Sequence, residues 1–179
     1  MTVAPTTAPP RARPAPFGLT FVASAAIYLV LAGFAAWTAW ADTATPLTPR
    51  TSDASTWDLL LHNMGVLVWL AGGLCTAGLL TGAVLGLNGI LLGWVVGKQL
   101  AAGDGAALLT GMLPHLPFEI TAYLISAAAS IRFGLDIAGR LRRRSAQRPV
   151  PWAGWVRVQA YALVLLIVAA LVEANVSHV

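Results

Sequence analysis

Charge is what this 179-residue sequence has least of: 10% of its residues are Asp, Glu, Lys or Arg. An ordinary soluble domain carries about 25%. The single cysteine, Cys75, excludes an internal disulfide framework. No Walker loop, dinucleotide glycine signature or H-E-x-x-H motif occurs, so a nucleotide-driven engine would have to be a separate subunit. What fills the space is apolar: 58% hydrophobic residues and a mean hydropathy of +0.74. The composition defines an all-α, polytopic membrane helix bundle.

A net charge of +4 does not point to nucleic acid, because of where the charges sit. Five of the eleven basic residues lie in "RLRRRSAQR", Arg140 to Arg148, directly after an apolar run. That is the mark of a cytoplasmic loop, and contact with anionic headgroups fits it too. Residues 1–16 hold five of the eleven prolines and read as a disordered cytoplasmic tail bearing Arg11 and Arg13.

The rest, 17–179, reads as one membrane domain. Its first span is 17–41, ending in Trp37 and Trp40. Ala39-Trp40-Ala41 has the form of a cleavage site, but 25 apolar residues exceed a signal-peptide core of roughly 7–15. From Leu59 to Gly97, 39 residues carry no Asp, Glu, Lys or Arg. One helix of that length would run about 58 Å, roughly twice the hydrocarbon core. Two spans, about 59–79 and 82–100, are therefore expected, with a tight turn among Gly78, Thr81 and Gly82. Spans at about 114–139 and 156–174 complete five. With the N-terminus cytoplasmic and the C-terminus external, eight basic residues fall inside and only Arg50 and Lys98 outside. The expected location is a bacterial cytoplasmic membrane, crossed several times.

Packing accounts for some of the polar and small residues. Gly78, Gly82 and Gly86, then Gly89, Gly93 and Gly97, form ladders at four-residue spacing that let helix backbones approach closely, within the chain or across a homo-oligomer. Arg132 and Asp136, four apart, are expected to form a structural ion pair.

Other polar residues are harder to explain by packing. "PHLPFEI" sets His115 and Glu119 four positions apart, on one helix face. One reading makes Glu119 an N-terminal cap and leaves His115 at the headgroups. The face continues, however. At 100° per residue, Ser126 and Ser130 fall within about 20° of Glu119, and Tyr123 within about 40°. His62 and Asn63 open the second span at the same level, and Asn88 lies in the third. Polar side chains in a bilayer usually face the bundle interior, so these eight residues form the candidate functional cluster. His62, His115 and Glu119 are a conceivable zinc set, but H-x-x-x-E is common by chance and neither a metal nor another cofactor is expected. His115 is about 16 Å along the helix from Ser126, too far to serve as its base.

Those residues carry a resemblance. Asn63, "NGILLG" (Asn88 to Gly93) and "PHLPFEITAYLISAAASIRFG" (Pro114 to Gly134) resemble the stage II sporulation protein M family. Pro114, His115, Glu119, Arg132 and Gly134 match its pattern; Leu116 stands where the family has Gly, followed by Pro117, and Ser130 replaces another glycine. The resemblance implies a non-enzymatic membrane scaffold that recruits envelope partners, peptidoglycan hydrolases among them. A transporter-like permease subunit with a polar path along the fourth helix is the alternative, and an intramembrane metal-dependent hydrolase a weaker one.

Overall fold

A computed structural model describes residues 16–42, 55–142, 150 and 152–176. The expected disordered tail, apart from Pro16, lies outside the described residues. Among the described residues every regular element is helical. Helix α1 is Phe17–Ala41 and α2 is Thr56–Gly72, extended by a 3-10 turn at Gly73–Thr76. Helix α3 is Leu79–Ala101, α4 is Leu116–Arg142 and α5 is Trp152–Val176. Short helical turns at Gly105–Ala107 and Leu108–Met112 join α3 to α4. Among the described residues, five helices are thus long and apolar enough to cross a membrane.

Helix starts and stops follow local chemistry. Ser55 and Asp58 form a reciprocal capping box at the start of α2, with Ser55 N–H donating to Asp58 Oδ2 at 2.9 Å. Helix α4 starts at Leu116, two residues after the expected 114, so Pro117 falls in its first turn, where a missing N–H costs no helical bond.

The turn between the second and third spans comes earlier than expected, at Gly73 to Gly78. Ala77 (φ 52°) and Gly78 (φ 93°) take the left-handed conformation, and Gly78 N–H closes back on the Gly73 carbonyl at 2.8 Å. Thr81 and Gly82 lie inside α3. The buried Thr81 hydroxyl donates to the Leu70 carbonyl at 2.8 Å, an acceptor that the Gly73 N–H also reaches, and so pins the start of α3 to the end of α2. Gly134 of α4 abuts this turn: a Cβ there would come within 3.1 Å of the Gly73 and Leu74 carbonyl oxygens.

Helices α1 and α3 run parallel and make the most extensive contact in the bundle. Gly89 lies against the carbonyl of Tyr28, Gly93 against that of Ala32 and Gly97 against that of Ala36. Each step is four residues on both helices, so one ladder is a backbone-to-backbone seam. The other ladder divides: Gly78 serves the turn, Gly82 faces open space and Gly86 meets the Leu31 side chain.

Lys98, only 3% exposed, ties the two C-terminal ends together. Its ammonium donates to Asp42 Oδ2 at 2.8 Å and to the Asp42 carbonyl at 2.6 Å, at the negative end of α1.

Helix α4 is the central one. Of its most apolar stretch 56% is buried, against 22–28% in the other four spans. The small side chains of Ala122, Ala127, Ala128, Ala129 and Ser130 make that burial geometrically feasible. Outward faces carry Val30, Phe34, Val68 and Leu79, all more than half exposed. Such surfaces suit a hydrocarbon solvent and would be untenable in water.

Candidate functional site

The polar face of α4 is built in two tiers. The upper tier begins at His115, whose carbonyl accepts from the N–H groups of Phe118 (3.1 Å) and Glu119 (3.3 Å). Its imidazole is 7% exposed and Nδ1 has no hydrogen-bond partner. Burial holds this imidazole below its ordinary pKa, and the nearby Glu119 carboxylate only partly offsets that.

One turn further, the half-buried Glu119 lies within electrostatic reach of His115, of His62 on α2 and of Glu173 on α5. Tyr123, 2% exposed, donates its hydroxyl to Asn63 Oδ1 at 2.9 Å, with the Glu119 carboxyl nearby one turn before it. Tyr28 of α1 faces the same carboxylate. Four helices therefore meet at this tier, with His62 at its exposed rim.

The lower tier joins α4 to α5. Ser126 Oγ donates to Gln159 Oε1 at 2.8 Å, and Gln159 Nε2 donates to Ser130 Oγ at 3.2 Å. Trp155 Nε1 donates to the same Ser130 oxygen at 3.4 Å. Ser126 and Ser130 are fully buried. Around the Tyr123 ring, Ala122 and Ala127 pack with Leu70, Leu85 and Leu166 in one enclosed apolar core.

Of the eight expected cluster residues, His62, Asn63, His115, Glu119 and Tyr123 meet in the upper tier, and Ser126 and Ser130 in the lower. Asn88 stands apart: its amide donates to the Val84 carbonyl of its own helix at 2.9 Å. Gln159, Trp155, Glu173 and Tyr28 join as partners that the polar pattern of α4 does not name. A signal exists for α5, where 159, 162, 166, 169 and 173 recur at helical spacing and place Gln159 and Glu173 on the buried stripe with Ala162, Leu166 and Ala169. Among the described residues no three His, Cys, Asp or Glu side chains are grouped to hold a metal ion.

The expected Arg132–Asp136 pair does not form. Asp136 is bound by Arg140 instead, through Nη2 at 2.8 Å and Nε at 2.9 Å. Helical side chains lean toward the N-terminus, so Arg140 falls back onto Asp136 while Arg132 leans away from it.

Fold and site together define a multi-pass helical membrane protein organised around one polar central helix. The chain belongs to the stage II sporulation protein M family, whose model matches residues 24–178. An uncharacterised protein of Methanocaldococcus jannaschii is 27% identical over 123 residues, covering 66% of this chain and 68% of that protein. No solved structure matches.

Proposed function

We propose that this protein is a non-enzymatic assembly component of the bacterial cytoplasmic membrane that holds envelope partners, with peptidoglycan hydrolases as one candidate class. The observation that carries this reading is that most of the polar interior is bonded within the bundle. Ser126, Ser130, Gln159 and Trp155 satisfy one another, and Tyr123 is committed to Asn63. Ser126 has an amide as its neighbour rather than a base, which gives no support to hydrolysis. A polar interior spent on the fold leaves recruitment to the outward helix faces and loops. The orientation that places the N-terminus inside and the C-terminus outside is supported by Arg140 and Arg142 at one end of the bundle.

A transporter-like permease subunit is the second reading, favoured by one observation: Glu119, Glu173, His62 and His115 converge at one end of the bundle. The tight apolar packing around Tyr123 counts against a continuous path.

Affinity purification from native membranes in mild detergent, followed by mass spectrometry, tests both. Wild type should recover defined partners, and Glu119→Gln should lose them if the upper tier belongs to the assembly surface. Partners retained by a folded but inactive Glu119→Gln variant would favour the permease. Recovery of no partner by wild type would overturn the assembly reading.

A further inference from the structure

At the opposite end from Glu119, a crevice of about 280 Å³ opens between α1, α4 and α5. Arg132, Asp136 and Arg140 line it on the α4 side. Two arginines against one aspartate leave one net positive charge, and Asp136 is already committed to Arg140. Arg132 forms no ion pair among the described residues and is exposed beside Phe133. A guanidinium at the edge of the bilayer is satisfied by an anion from the interface.

The remaining walls specify what kind of anion. Phe17, Phe133, Trp155 and Val158 make them apolar. Phe133 packs against Trp152 and Trp155 with ring centroids 5.1 and 6.3 Å away, an aromatic cluster of the kind found at headgroup level. A free phosphate would leave those walls uncovered. A zwitterionic lipid would add an ammonium beside Arg140. An anionic phospholipid supplies a phosphodiester for the arginine fork and acyl methylenes for the aromatic wall. The volume accommodates a glycerophosphate and the start of its chains, with the tails running into the bilayer.

We propose that this crevice is a site for an anionic phospholipid, its phosphate held by Arg132 and its upper chains lying on Phe133 and Val158. The site is independent of the Glu119 tier and of the assembly reading.

The test is native mass spectrometry of the full-length protein in detergent, loaded separately with phosphatidylglycerol, cardiolipin and phosphatidylcholine. Wild type should retain the anionic lipids preferentially. Arg132→Gln should retain them about tenfold less or worse, and Arg132→Lys should fall between, because it keeps charge without the fork. Gly154→Leu, placed where a Cβ meets open space, should fill the crevice and displace lipid with every charge intact. Arg157→Gln, outside the crevice, should behave as wild type. Helicity and elution volume establish that each variant is folded; if Arg132→Gln is not, Gly154→Leu decides. Equal retention of phosphatidylcholine, or unchanged retention of anionic lipid in Arg132→Gln and Gly154→Leu, overturns the proposal. So does stabilisation of the lipid-free protein by inorganic phosphate alone to the extent given by phosphatidylglycerol, which would assign the site to a soluble phosphate.

Discussion

Along the α1–α3 seam, Gly89, Gly93 and Gly97 press on the carbonyls of Tyr28, Ala32 and Ala36, and the Lys98–Asp42 bonds come only at the end. Along the α4–α5 seam, Ser126, Ser130, Gln159 and Trp155 are bonded to one another. Lipid tails are as apolar as leucine, so burial of hydrophobic surface does not by itself drive helices together. The two seams show the remaining options side by side: close backbone contact without Cβ atoms, and polar groups that have no better partner in hydrocarbon. The first tolerates no added atom. The second tolerates a lost atom at modest cost.

The comparison is broken most directly at its tightest point. Gly93→Leu should separate α1 from α3, because even a Cβ collides with the Ala32 carbonyl; a loss of about 3 kcal/mol or more is expected by unfolding in mixed micelles. Gln159→Leu, on the other seam, removes the acceptor for Ser126 and a donor to Ser130 at once. Its expected cost is about 1–2 kcal/mol in the same assay, and a loss as large as that of Gly93→Leu would show the two seams to be equivalent after all.

The upper tier gives a pH-dependent effect of smaller size. The His115 imidazole is held below its ordinary pKa of 6.5 in the folded protein, so below that pH the unfolded chain takes up a proton more readily. The stability due to neutral, buried His115 is fully present above about pH 6.5 and is lost as pH falls through the lower folded value. Melting temperature should decline on acidification through this window, and His115→Asn should flatten the decline. The smallest effect is expected at Gly82→Ala. A Cβ there meets nothing within 4 Å, so stability should stay within about 1 kcal/mol of wild type. A large loss there would mean that Gly82 contacts a partner, and gel filtration would register the change in assembly.

Much of the fold is legible in the amino-acid order itself. Leu59 to Gly97 must be two helices because the bilayer is too thin for one, and α1 spans the residues its apolar run marks. The position of the turn is less legible. Gly78, Thr81 and Gly82 all have turn chemistry, but the outcome is decided by positive φ at Ala77 and Gly78 and by a Thr81 hydroxyl that is better used on the Leu70 carbonyl. Helical periodicity brings His115, Glu119, Tyr123, Ser126 and Ser130 onto one face, since they share one helix. It carries no information about which residue of another helix stands opposite. Gln159 and Glu173 therefore escape it, and Asn88 is grouped with residues it does not bond. The ion pair fails for a directional reason: spacing of four joins 132 to 136 and 136 to 140 equally well, and only the lean of helical side chains separates them.

The burial of Lys98 also bears on how partners of this protein can be found. It is the sole lysine in the sequence, and its amine is enclosed by Asp42. Amine-directed crosslinkers would find almost no purchase on lysine here and would under-report its neighbours within a complex. Photoactivated groups, placed on the exposed apolar helix faces, are the chemistry that can capture them.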